Sequence, residues 1–255
     1  MINRARRTGS FGLAVALSRA GIAGLRAKAP GGRGRWERQN HAGRTVELYA
    51  GPASAVAVAV GAGRVRPAAG FAVLAAGACG AYDDVAGAGD ARRGFRAHLA
   101  ALRDGEVTSG AVKLFGISAA GLVAGALMKE RPLDKVLAGV VIAGAAHFVN
   151  LVDVRPGRAA GAVLALGVPG LLRAGPGAEL AAAAMGAAAA VLPDDLGERA
   201  MLGDTGAHAL GAALGAAVVA GSGRAGLAAH AAALVTAAAY GEKVSEAAGA
   251  ARVNR

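Results

Sequence analysis

Cysteine occurs once in 255 residues, at Cys79, so the chain has no disulfide framework and no cysteine-based metal cluster. Cys79 lies in an apolar run, where a buried, inert thiol is expected. Aromatic residues make up only 4%, and no basic stretch is interleaved with aromatics in the way that grips nucleic acid. Acidic residues are scarce as well, 17 against 28 basic ones, for a net charge of +11. Nucleic acid is still not the expected partner, because the basic residues sit in short loops between apolar runs, where a topology signal explains them better.

Small apolar residues fill the rest. The hydrophobic share is 55%, and adding the 41 glycines brings it to roughly 70%, against about 45–50% in a soluble domain. An alanine-rich soluble helical protein and a polytopic membrane protein both have this texture. Charge-free stretches decide for the membrane: 67–82, 159–172, 181–193 and 205–223 carry no charge, and 46–63 carries only Glu47. Alanine and glycine also permit close helix packing within a bilayer. The expected fold is all-α, a single membrane-embedded domain over 1–255 with about nine transmembrane helices near 9–25, 46–63, 67–82, 111–128, 134–150, 159–172, 178–193, 206–222 and 225–240. The first of these contains Arg19 and is followed by Ala27-Lys28-Ala29, which resembles a signal-peptidase site. An uncleaved span is preferred, with Arg19 packed inward or snorkelling.

Charge orients such a bundle. Segments 26–45, 83–113, 151–158, 194–205 and 241–255 hold 17 lysines and arginines, against 10 in the N-terminus, 64–66, 129–135, 173 and 224. The first set is expected at the cytoplasmic face of a plasma membrane. Four aspartates then share that face: Asp83 and Asp84 in AYDDVAG, Asp153 in NLVDVRPGR, and Asp204 in MLGDTGAHALG.

Each motif has an ordinary alternative. Asp83-Asp84 at the end of a run suits a cap or turn, but adjacent carboxylates repel unless a cation lies near, and a hard cation such as Mg²⁺ suits oxygen ligands. The loop that follows carries Arg92, Arg93, Arg96, His98, Arg103 and Lys113. It fixes topology, and it also offers a phosphate-binding surface beside the aspartates. Asn150 and Asp153 stand three apart, on one side of a helix end. Pro156 and Gly157 then break the helix between Arg155 and Arg158. Asp204 and Thr205 both suit an N-cap, yet the flanking Gly203 and Gly206 allow close backbone approach at a helix start that favours anions. His208 lies one turn further on, where a buried hydrogen bond and a ligand contact are equally expected.

The order Asp-Asp, then Asn-Leu-Val-Asp, then Gly-Asp-Thr-Gly, each following successive pairs of spans, resembles the polyprenyl-phosphate N-acetylhexosamine-1-phosphate transferases. The resemblance covers most of the chain, about 36–240, and MLGDTGAHALG is its best single match. It implies transfer of a sugar-1-phosphate from a UDP-sugar to polyprenyl phosphate with release of UMP, dependent on Mg²⁺, as in lipid-intermediate synthesis for peptidoglycan and other surface glycans. Asp83, Asp84 and Asp153 would be catalytic and Asp204 the metal ligand. Asn150, Lys113, Arg92, Arg93, Arg155, Arg158 and His208 would contact substrates. Membrane lipids are the surroundings, and a homodimer accords with the family. The chain departs from the pattern at His147, where the family usually has Asn, at Pro156, where it usually has a second Asp, and in lacking the His-rich loop and final span of the muramoyl-pentapeptide enzymes. A non-catalytic relative that binds polyprenyl phosphate or a lipid-linked sugar is the second reading; a small transporter, suggested only by intramembrane polarity such as Arg19, is the third.

Overall fold

Three prolines open helices rather than break them, because the first helical position needs no N–H partner; Pro67, Pro132 and Pro176 each stand there. The structure, a computed structural model, describes residues 2–87, 92 and 94–250, with the side chains of 2, 3 and 94–96 excepted. Its helices are α1 (Ile2–Lys28), α2 (Ala50–Val65), α3 (Pro67–Ala86), α4 (Gly94–Arg103), α5 (Ser109–Met128), α6 (Pro132–Leu151), α7 (Arg158–Leu171), α8 (Pro176–Leu196), α9 (Gly203–Gly221), α10 (Arg224–Ala239) and α11 (Gly241–Ala250). The architecture is all-α.

Nine of these helices fall on the nine apolar intervals. Four are long and apolar enough to cross a membrane by length and composition: Arg4–Lys28 within α1, then α5, α6 and α8. Large apolar side chains face outward along several helices, among them Val56, Phe71, Leu74, Val123, Leu127 and Val136. An apolar exterior of this kind matches lipid rather than water.

Helix α9 is the axis, packed against α2, α3, α6 and α8. Small residues permit that closeness: a Cβ at Gly215 would lie 2.8 Å from the Ile142 Cα of α6. Helix α10 leans on α6 and buries little beyond Leu227 and Ala231.

The start of the interval 46–63 is not helical. Residues Glu37–Gln39 (β1) and Thr45–Glu47 (β2) form an antiparallel hairpin, with Arg38 opposite Val46. Glu47 also bridges to the α8–α9 loop: its N–H donates to the Arg199 carbonyl (3.1 Å), and its carbonyl accepts from Met201 N–H (2.9 Å).

Alternate connections lie at opposite ends. At one end, Lys129 donates to the Ser222 carbonyl (3.0 Å), Arg173 to the Gly221 carbonyl (2.9 Å), and Arg224 pairs with Asp134 (2.6 Å). The other end gathers the hairpin, the end of α3, the start of α5 and the loops at 152–157 and 197–202.

Candidate functional site

Asp83 and Asp84 lie in the last turn of α3, not in a loop, so their side chains diverge by about 100° around the helix. Asp84 turns to α9. Its Oδ1 accepts from Asp204 N–H (2.9 Å), and its Oδ2 accepts from Thr205 N–H (3.0 Å) and from the Thr205 hydroxyl (2.6 Å). No side chain at the start of α9 caps its own helix; the cap comes from another helix. A glycine makes this reach possible, since a Cβ at Gly80 would collide with the Asp204 carbonyl.

Asp83 turns to α5. Lys113 Nζ donates to Asp83 Oδ2 (2.5 Å) and also to Asp204 Oδ2. One ammonium thus joins two carboxylates from two helices. The three side chains are 16–26% exposed, shielded enough to strengthen their interaction yet open to a solute. With Asp84 alongside, three carboxylates meet one lysine, and the cluster keeps an excess of negative charge.

Asn150 stands in the last turn of α6, and its carbonyl accepts from Asp153 N–H (3.1 Å). The Asp153 carboxylate makes no hydrogen bond or ion pair to described residues. Burial, together with the charges of Asp195, Asp204 and Asp84, pushes its carboxyl well above the usual carboxylate range. Gly157 takes a left-handed conformation (φ 77°) to start α7, and its N–H donates to Asp195 Oδ2 (2.9 Å).

The other predicted contacts divide. Arg158 is half-buried, with its Nε shielded and unpartnered, while Arg155 is exposed beside α11. Arg92 is engaged by Glu106 through two bonds of 2.7 Å. Arg93 lies outside the described residues. His98 holds the α4–α5 corner through Thr108 Oγ1 (2.9 Å). His208, for which a buried hydrogen bond and a ligand contact are equally expected from the sequence, is 0% exposed, its Nδ1 lying 2.7 Å from the Asp204 carbonyl oxygen.

Sequence reasoning passed over Asp194 and Asp195, although they repeat the signal of Asp83-Asp84, an adjacent pair ending an apolar run. Asp194 gathers Arg199 (2.7 Å), Arg26 (3.3 Å) and Arg19 (3.7 Å). Arg19 is therefore neither loose nor buried alone; it reaches the polar end of the bundle. An open cleft of about 490 Å³ between the hairpin and Arg199 borders this seam of paired charges and none of the Asp83, Lys113 and Asp204 groups.

Among the described residues no group of three or more His, Cys, Asp or Glu side chains is arranged to hold a metal ion. Asp83 and Asp204 nevertheless fit Mg²⁺, as two hard carboxylates already sharing one cationic group. Mg²⁺ commonly takes one or two carboxylates and completes its shell with water and phosphate oxygens. The chain matches no family model and no curated protein.

Proposed function

We propose that this chain is a polytopic membrane phosphotransferase, with all nine apolar helices spanning, that moves a sugar-1-phosphate from a UDP-sugar to polyprenyl phosphate and releases UMP. One observation carries the reading: Asp83, Lys113 and Asp204, distant in sequence, meet as a carboxylate–ammonium–carboxylate cluster at one end of an apolar bundle. A reaction between a lipid phosphate and a soluble nucleotide needs such a place, polar and at the membrane boundary.

In this reading an oxygen of the lipid phosphate attacks the β-phosphorus of the UDP-sugar, and the bond to the UMP oxygen breaks. Little covalent work falls to the protein, so positioning and charge neutralisation dominate. Asp83 orients or deprotonates the lipid phosphate. Asp84 holds the first turn of α9, and with it Asp204, in place. Lys113 keeps the two carboxylates together and offers its ammonium to a phosphate oxygen. Asn150, Asp153, Arg155 and Arg158 border the nucleotide. Asp204 and Asp83 would hold Mg²⁺, which when bound would supply positive charge to the diphosphate and to the oxygen on which UMP leaves. The polar end faces the cytoplasm, where UDP-sugars are.

The test is release of UMP by purified protein given Mg²⁺, undecaprenyl phosphate and a panel of UDP-sugars beginning with UDP-GlcNAc. Asp204→Asn is expected to lower turnover on the order of 10²–10³-fold, as loss of one electrostatic stabiliser does. No UMP from any UDP-sugar, or full activity in Asp204→Ala, overturns the proposal. A second reading has one observation in its favour, that Lys113 already pairs with both carboxylates: a protein that binds polyprenyl phosphate without turnover. Lipid binding retained with no metal-dependent UMP release selects it.

A further inference from the structure

Helix α1 ends in a corner rich in positive charge. Ala29, Gly31 and Gly32 all take left-handed φ, 37°, 78° and 91°, so the chain turns back at once. The Gly32 N–H closes this turn onto the Ala29 carbonyl (2.8 Å). A single 3₁₀ turn, Arg33–Trp36, follows before β1. Its end is tied to the start of α2, because the Trp36 carbonyl accepts from Leu48 N–H (2.7 Å). The corner therefore stands where the chain leaves the apolar bundle through α1 and re-enters it through α2.

Two observations fit this corner to the edge of a bilayer. The only tryptophan of the chain is here, its ring 5.2 Å from that of Tyr49 and its indole N–H donating to the Pro30 carbonyl (2.8 Å). Tryptophan and tyrosine gather at the headgroup level of membranes. The helix leading into the corner also lies at the rim of the bundle. Helix α1 packs on α8 and α2 and buries one narrow side, through Ala14, Ser18 and Ile22, so its end meets the surroundings of the bundle.

The fold sorts the charges of this corner. Six lysines and arginines lie in 26–45, and three are engaged. Arg26 pairs with Glu47 (2.6 Å) and Arg44 with Glu198 (3.3 Å), while Arg38 donates to the Asp84 carbonyl (2.9 Å). The side chains of Lys28, Arg33 and Arg35 are exposed and make no ion pair or hydrogen bond to described residues. Arg35 folds back over the turn after Lys28, where a Cβ at Gly31 would come 2.7 Å from its Cδ. Glu37, the one acidic residue between Arg26 and Arg44, lines the cleft with Glu47 and Arg199 instead. Three uncompensated cations at the rim complement phosphate oxygens. Each basic residue just beyond a membrane helix gains up to about fivefold in affinity near an anionic leaflet.

We propose that Lys28, Arg33 and Arg35 form a binding site, at the rim of the bundle, for the phosphate headgroup of an anionic glycerophospholipid. The bound lipid steadies the hairpin, whose Arg38 passes the effect to the end of α3 through the Asp84 carbonyl. This site presupposes the spanning bundle proposed above but not the sugar-phosphate transfer.

The single tryptophan makes the corner readable. The full chain is reconstituted into vesicles of phosphatidylcholine containing phosphatidylglycerol, one of the two lipids being brominated near the headgroup end of its acyl chains, so that only lipids beside Trp36 quench its fluorescence. Brominated phosphatidylglycerol is expected to quench more than brominated phosphatidylcholine at the same mole fraction, and the difference to shrink as salt is raised. Lys28→Gln/Arg33→Gln/Arg35→Gln is expected to remove the difference, and Arg35→Gln alone to lower the preference by up to about fivefold. Arg64→Gln/Arg66→Gln, at the opposite end, is expected to leave it unchanged. Equal quenching by the two lipids in the parent protein, no quenching by either, or a preference kept by the triple variant would overturn the proposal. So would a preference erased, at constant ionic strength, by inorganic phosphate or by a trace of undecaprenyl phosphate. A chain that fails to insert into the vesicles overturns the spanning reading along with this site, whereas insertion with equal quenching overturns the lipid site alone.

Discussion

Asp153 is the aspartate with most to gain from a ligand, because the fold leaves its carboxylate unpaired among Asp195, Asp204 and Asp84. Burial and those neighbours raise its folded pKa above the unfolded value of about 3.9. The folded protein then keeps a proton that the unfolded chain has lost, so stability falls as pH rises from about 4 through the folded value; below about 4 the effect is absent. Asn at this position mimics the protonated form at every pH. Ligand-free Asp153→Asn is therefore expected to melt with the parent near pH 4 and several degrees above it at pH 8, read by thermal denaturation in detergent with a chelator present. Equal melting temperatures across the range would sink this account.

At the scale of elements, the junction of α3 and α9 depends on one side chain. Asp84→Ala leaves the first amides of α9 without an acceptor, a loss of about 0.5–2 kcal/mol for a helix cap, and toward about 3 when the acceptor is charged. Asp84→Asn retains an oxygen and is expected to lose less. Hydrogen exchange should rise first at the amides of 204 and 205; unchanged exchange there in Asp84→Ala would show that the cap is dispensable. This contact also marks where sequence reading stops. The apolar helices were legible because charge is nearly absent from them, and Asp83, Asp84 and Asp204 stood out for the same reason. That Asp84 caps a helix 120 residues away was not legible, because the cap depends on Gly80 letting two backbones touch. The hairpin and the short helices α4 and α11 were missed: they are brief and polar, and contacts made on folding hold them, Glu47 with Arg199 and Met201 at the hairpin, His98 with Thr108 at α4 and Ser245 with the Leu151 carbonyl at α11.

For the whole molecule, the charge count along the loops and the folded arrangement agree that alternate connections lie at opposite ends. Whether that arrangement spans a membrane is testable in a Cys79→Ala background. Arg155→Cys sits at the aspartate end on an exposed position, and Leu172→Cys at the other end, where the native side chain is 83% exposed. A membrane-impermeant maleimide is expected to label the second in intact cells and the first only after the cells are opened. Labelling of both from one side would exclude a spanning bundle in this register.

The cap that Asp84 places on α9 also imposes an order in time. During synthesis α3 is made long before α9, and its carboxylate stays without those three donors until residues 204 and 205 emerge. Asp83 and Lys113 can meet earlier, but the second carboxylate of the cluster arrives with the same turn of α9. Arrival of one helix thus completes the cap and the cluster in a single step. A nascent chain halted before α9 holds every helix up to α8 and neither of these features.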